Sequence, residues 1–476
     1  MLFNSTQFAV FFVIVFTLYL ILNHRWQNCM LLVASCLFYG AWSWRFLLLM
    51  FVSITTDFFC AKYIHALSDN KIRKKLLILN FVVNLGILGF FKYFSFFANN
   101  FQALLSVFGL TVNINLLHVI LPVGISFYTF QAMSYSFDVY RKQLIPAKSY
   151  FDYALFVTFF PQLVAGPIER ATHLLPQILK PRQMTLEKFY EGCYLVSWGL
   201  FQKMFIADNL AKIVDPIFSS APPYNGAHVL LGLYAFAFQI YCDFGGYSNM
   251  ARGLGKCMGF DIMVNFNLPY FSVNPSEFWK RWHISLSSWL KDYLYVPLGG
   301  NRNGIVATYR NLAITMLIGG LWHGAAWTFV IWGVYQGMLL IGHRVLAPFL
   351  GKFRNPRSFL LSKIWLAIRV LFFFQLVCIG WLIFRANSMR QVCDMLHGLI
   401  FHFESIASMS LWSDFLNMIG VIWILGAVEL MQFTMGDLMA VYRRGVLFKA
   451  VFYVICFYLL ITFGATGGKD FIYFQF

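Results

Sequence analysis

The chain has 476 residues, 60% of them hydrophobic, 20% aromatic and only 12% charged, with a mean hydropathy of +0.67. A soluble domain carries about 45–50% apolar residues, so this composition excludes one and defines an integral membrane protein. The formal net charge of +17 matches the Lys and Arg excess of cytoplasmic loops, and membrane lipid rather than nucleic acid is the expected surrounding.

Apolar stretches of the about 17–25 residues that a span needs recur at 6–22, 29–63, 76–98, 116–137, 150–166, 190–214, 228–248, 311–342, 364–384, 415–436 and 446–464. They predict an all-α polytopic membrane protein with about eleven transmembrane helices plus re-entrant or interfacial helices. The first stretch lacks a basic region and a small-residue cleavage site, so it is read as a retained span. The 29–63 stretch is long enough for two helices meeting near "WSWR" (42–45). No repeat or Gly/Ser linker divides the chain, and residues 1–476 are read as a single membrane-embedded domain. The cysteines are scattered without a CxxC pair, so no metal site is expected.

Basic clusters lie at 70–75, 140–148, 167–188, 352–363 and 442–449, whereas 93–140 and 391–442 contain no Lys or Arg. The positive-inside rule places the clusters in the cytoplasm and the loops near 97–115, 216–227 and 403–414 on the other side, with an outward amino terminus. In "YCDFGGYSN" (241–249), Asp243 reads as a buried acid that either pairs with a base or lines a path.

The stretch "NPSEFWKRWHISLSSWLKDYLYVPLGGNR" (274–302) is the least lipid-like of the chain. Wound as one helix, it puts Lys280, His283, Ser287 and Lys291 on one face and Phe278, Trp282, Trp289 and Tyr293 on the other. That pattern suits an interfacial helix with snorkelling lysines, or a functional face bearing a histidine. Asn274-Pro275 supplies a helix start, and "PLGGNRNG" (297–304) a tight exit turn.

Residues 311–342 contain no Asp, Glu, Lys or Arg, yet "GGLWHGAAW" (319–327) places His323 among them. A continuous helix there would be ~48 Å long against a ~30 Å hydrocarbon core, so a break is expected at Gly319-Gly320, with two segments meeting near His323. An ionisable residue at such depth is either functional or a neutral group bridging helices. Gly320 and Gly324, like Gly333 and Gly337, have the spacing of close helix packing. No G-x-S-x-G elbow and no Walker A motif occurs, which argues against a serine hydrolase or a P-loop pump.

Five blocks together resemble the membrane-bound O-acyltransferase family, in its bacterial alginate and peptidoglycan O-acetylation branch. They are "LPVGISFYTFQAMSYSFDVYR" (121–141), "FFPQLVAGPIER" (159–170), "FWKRWHISLSSWLKDYLYVPLGGNR" (278–302), "GGLWHGAAWTFVIWGVYQG" (319–337) and "FIYFQF" (471–476). The resemblance implies that His323 is the central catalytic residue and His283 its companion, in a multi-pass protein of the bacterial inner membrane. One departure is Asn249, where the family more often carries a second acid after the Asp243 position.

Acyl transfer from a thioester to a hydroxyl needs a base, and imidazole suits that role. His283 would then orient His323 or donate to the thioester carbonyl. Lys280, Trp282, Lys291 and Arg302 are the substrate-binding candidates, the cations meeting the phosphates of acetyl-CoA or else lipid headgroups. No bound cofactor is expected. The implied function is transfer of an acetyl group from cytoplasmic acetyl-CoA for O-acetylation of an extracytoplasmic polysaccharide, through a periplasmic acetyltransferase partner. Two alternatives remain: D-alanyl transfer to teichoic acid, and a transporter or export scaffold in which the histidines relay protons or pack.

Overall fold

Backbone amides in hydrocarbon have no water to bond, so a chain this apolar satisfies them within helices. The computed structural model describes residues 1–110, 120–350, 358–403, 409–465 and 471–472, and every regular element among them is helical. In order these are α1 (Thr6–Ile21), α2 (His24–Ala66), α3 (Asn70–Leu88), a π-helical turn (Gly89–Tyr93), α4 (Phe94–Val107), α5 (Ile125–Tyr140), α6 (Tyr150–Thr158), α7 (Phe160–Leu163), α8 (Ala171–Leu179) and α9 (Leu186–Leu200). A second π segment (Phe201–Ala207) leads to α10 (Asp208–Ser219) and α11 (Gly226–Cys257), then the short α12 (Pro275–Phe278) and α13 (Ile284–Leu290). The chain ends with α14 (Gly304–His323), α15 (Trp327–Leu350), α16 (Phe359–Arg385), α17 (Met389–Phe401), α18 (Met409–Met435) and α19 (Val446–Phe463).

Among the described residues, 8 helices are long and apolar enough to cross a membrane, fewer than the expected count. The reasons are local. The 150–166 stretch breaks at Phe159 (φ −48°, ψ 108°) ahead of Pro161 into α6 and α7, and α1 has only 16 residues. The 116–137 stretch falls partly outside the described residues, and 190–214 carries Lys203, Asp208 and Lys212. By contrast α2, 43 residues long, is bent at Ser43 (φ −161°, ψ 116°), inside the expected "WSWR" join. On α19 the side chains of Val446, Leu447, Val454, Phe457 and Ile461 are all strongly exposed. Such a surface is unfavourable in water and natural against lipid.

The contacts divide the chain into one unit of Met1–Val196 with Met250–Met263 and a second of Ser197–Asn249 with Val264–Phe476. In the first, α5 is buried along nearly its whole length, and a polar lock joins its neighbours. Asp57 of α2 accepts from Asn80 and from Asn84 (2.8 Å), both on α3, and from the Tyr153 hydroxyl of α6 (3.3 Å). Neutral donors thus satisfy a buried acid at membrane depth.

The second unit contains a helical hairpin, α14 against α15, held at backbone contact. A Cβ on Gly320 would lie 2.3 Å from the Phe329 carbonyl oxygen and 3.0 Å from Gly333 Cα, and one on Gly333 would lie 2.6 Å from the Met316 oxygen. The close-packing role expected of Gly320 and Gly333 is met by this seam.

Candidate active site

His323 is the last residue of α14. The helix stops there because Gly324 turns extended (φ −166°, ψ 159°), and the Phe329 ring fills the space a Cβ at 324 would take, 2.2 Å away. The break therefore falls at Gly324–Ala326, four residues beyond the expected Gly319-Gly320, because Gly320 is committed to packing inside the hairpin. His323 is 5% exposed, and its ring meets Trp322 at 5.0 Å, Trp332 at 5.0 Å and Phe384 at 5.3 Å, each nearly perpendicular. The imidazole is thus boxed by aromatic edges and faces.

His283 corrects the reading of 274–302 as one helix. Asn274 does cap α12, accepting from Glu277 N at 2.9 Å with Pro275 at the first turn, as expected. The chain then leaves the helix, and His283 sits in the left-handed region (φ 44°, ψ 54°) before α13 begins. An extended neighbour segment dictates this. Asn267 N donates to the Arg281 carbonyl at 2.9 Å and Ile284 N to the Asn265 carbonyl at 2.9 Å, while the Asn265 side-chain oxygen accepts from Ser285 N (3.2 Å) and Ser285 Oγ (2.9 Å). Asn265 Nδ2 donates in turn to Ser248 Oγ at 3.1 Å. Strained backbone of this kind persists only where its surroundings over-determine it.

The imidazole of His283 is itself the cap of α13: Nδ1 accepts from Leu286 N at 3.2 Å. A neutral ring accepting at Nδ1 carries its proton on Nε2. Complete burial pushes the ring's pKa down to about 3 from its ordinary 6.5, so the neutral form dominates at physiological pH. Phe244 (4.7 Å), Trp322 (5.7 Å) and Phe266 (6.4 Å) surround it.

The structure brings His283 and His323 into one aromatic cluster, with Trp322 touching both rings. Trp282 belongs to the same cluster: it is 1% exposed and packs on Phe278 (5.6 Å) and Trp381 (4.8 Å). The expected basic stripe is divided, with His283 in the interior and Lys280 and Lys291 exposed; Arg302, the further cationic candidate, is exposed as well. Asp243 pairs with a base: Lys203 Nζ lies 2.6 Å from Asp243 and 2.9 Å from Asp208. Asn249, the departure from the family pattern, donates to Gln202 at 2.9 Å. Of the terminal block, Phe471 packs on Phe244 (5.6 Å) and Ile472 N donates to Asp243 (2.7 Å), while 473–476 lie outside the described residues.

Asn265 and Trp332 were not singled out in the sequence. Asn265 has no periodic pattern to mark it. Trp332 carried one signal, an indole N–H in an otherwise apolar helix, which needs a partner when buried.

A multi-pass helical membrane protein with two buried histidines in an aromatic cluster is the class that fold and site define. The comparisons with known proteins give it a family. The pattern of the membrane-bound O-acyltransferase family, MBOAT, matches residues 141–383, which include both histidines. A probable alginate O-acetylase of Pseudomonas putida is 44% identical over 406 residues, 85% of this chain and 81% of the relative. A peptidoglycan O-acetyltransferase of Helicobacter pylori is 37% identical over 432 residues, 84% of this chain and 80% of the relative. A teichoic acid D-alanyltransferase of Streptococcus thermophilus is 29% identical over 236 residues, 46% of this chain and 56% of the relative. The chain belongs to the membrane-bound O-acyltransferase family and is an O-acyltransferase.

Proposed function

We propose that the enzyme takes an acetyl group from cytoplasmic acetyl-CoA and passes it across the bacterial inner membrane for O-acetylation of an extracytoplasmic polysaccharide, with a periplasmic acetyltransferase partner completing the transfer. One observation carries the reading: His283 and His323 share a buried aromatic cluster in which a base and a hydrogen-bond donor sit away from water. His323 acts as the base that takes the acceptor's proton. His283, with its proton on Nε2, is the donor to the thioester carbonyl. Trp282 supplies apolar wall, and the exposed Lys280, Lys291 and Arg302 meet the phosphates of the donor. A general base of this kind contributes about 10²–10⁴-fold, so exclusion of water and orientation supply the remainder.

The two relatives above named for O-acetylation match 84–85% of the chain at 37–44% identity, whereas those named for D-alanyl transfer match 46–56% of it at 26–29%, which favours acetyl over D-alanyl. The test is alkali-labile acetate on cell-surface polysaccharide and peptidoglycan in cells carrying the parent chain or His323→Ala. The parent should raise it and His323→Ala should not. Purified chain alone should acetylate polysaccharide poorly, and robust transfer without a second protein would remove the partner from the scheme. Transfer that persists in detergent, where no ion gradient exists, separates an enzyme from a transporter.

A further inference from the structure

The aromatic cluster holds polar groups that the proposed reaction has not yet used. Trp332 of α15 is 1% exposed, its ring stands nearly perpendicular to His323 at 5.0 Å, and its indole Nε1 is buried with no hydrogen-bond acceptor among the described residues. Trp279, just beyond α12, has its ring 5.9 Å from that of Trp332, and its Nε1 is likewise buried without an acceptor. A buried donor left without an acceptor is costly, and native proteins rarely leave one so without a use. Two such donors side by side, one of them against His323, are a concentration that packing alone does not explain. A phenylalanine in either place would fill similar space without the penalty.

We propose that the Trp332 N–H, with Trp279 beside it, is a second oxyanion donor of the acyl-transfer reaction, acting together with His283; this rests on the reading of His323 as the base. The acceptor hydroxyl gives its proton to His323 while its oxygen bonds to the thioester carbon. The carbonyl electron pair moves onto oxygen, and that oxyanion accepts a hydrogen bond from Trp332 beside the one from His283. Collapse restores the carbonyl, breaks the C–S bond and expels a thiolate, which recovers the proton from His323. Water is excluded by the surrounding Trp322, Phe384 and Trp381 rings, so a fixed indole dipole acts in a low-dielectric setting where such donors are strongest. Neither indole N–H reaches the surface, which fits a donor aimed at a reacting group and not at lipid headgroups.

The experiment uses inside-out membrane vesicles carrying the full chain, labelled acetyl-CoA as donor, and alkali-labile label on macromolecular acceptor as product. Trp332→Phe should lower kcat by about a hundredfold or more while KM for acetyl-CoA changes little, the pattern of a donor used only in the transition state. Trp279→Phe should show a smaller loss of the same kind. Should Trp332→Phe lose its melting transition, replacement of Trp332 by benzothienylalanine keeps the ring shape, removes only the N–H, and should show the same fall in kcat. Wild-type kcat in either Trp332 variant, with His323→Ala inactive in the same assay, overturns the oxyanion role and leaves the base assignment standing. Wild-type kcat in His323→Ala overturns the reading on which both depend.

Discussion

A histidine's burial decides both what it does chemically and how the protein responds to pH. For His283 the folded pKa, about 3, lies below the ordinary 6.5. Stability from burying the neutral ring is therefore complete above pH 6.5 and is lost as pH falls from there toward about 3, with a slope of at most about 1.4 kcal/mol per pH unit. The melting temperature of the parent in detergent should fall across that window more steeply than that of His283→Gln; parallel curves would mean that the ring is hydrated. Because His283 stays neutral, the acid limb of the rate profile belongs to another group, and His283→Gln should lower the rate without moving the limb. Asn265 supports this chemistry indirectly, since it fixes Ile284 and Ser285 and so the left-handed backbone at His283. Asn265→Ala should reduce acetyl transfer about tenfold or more, and should add nothing in a His283→Ala background if its effect passes through that ring. An additive loss would make it a purely structural residue. At this scale the sequence disclosed the histidines, because an ionisable group in an apolar run stands out. It hid Asn265 and Trp332, because their importance lies in partners distant along the chain or in the lack of one.

Between elements, glycine contact and backbone breaks carry the arrangement. The seam of α14 and α15 admits no Cβ at Gly320, whereas Gly342, on the same α15, has nothing within 4 Å of where its Cβ would stand. Gly320→Ala should destabilise by about 1–3 kcal/mol through overpacking, and Gly342→Ala should be neutral or slightly stabilising; a thermal melt of both in one detergent compares them directly. Equal melting points would mean that the hairpin relaxes freely. The α2 bend at "WSWR" was legible because a largely apolar stretch of 35 residues (29–63) is too long for one crossing. The stop at Gly324 was misplaced because Gly319, Gly320 and Gly324 look alike in sequence, and only the partner helix distinguishes a packing glycine from a terminating one. The 274–302 stretch misled for a related reason. Its helical periodicity is genuine within α13, but bonds from residues 265–267 override it at His283, and no local pattern announces a neighbour that far away.

For the whole molecule the open quantity is orientation, and one continuous rod allows it to be measured. From Asn70 through the π turn to Val107 the chain is helical for 38 residues, ~57 Å at 1.5 Å per residue, against a hydrocarbon core of ~30 Å. Asn70 and Asn99, ~44 Å apart along that rod, therefore belong on opposite sides of the bilayer. "NKIRKK" at 70–75 is basic and the far end is not, so the positive-inside rule predicts that the Asn70 end faces the cytoplasm. Both positions are exposed and tolerate a reporter cysteine, once the exposed free thiols Cys29 and Cys393 are replaced. In intact cells an impermeant thiol reagent should label a cysteine at Asn99 and leave one at Asn70 unlabelled until the membrane is opened. Asn113, the further outward position expected from sequence, lies outside the described residues and should label like Asn99. Labelling at Asn70 with none at Asn99 would invert the protein, and would put the basic clusters at 70–75 and 140–148 on the side where no cytoplasmic acyl donor reaches them.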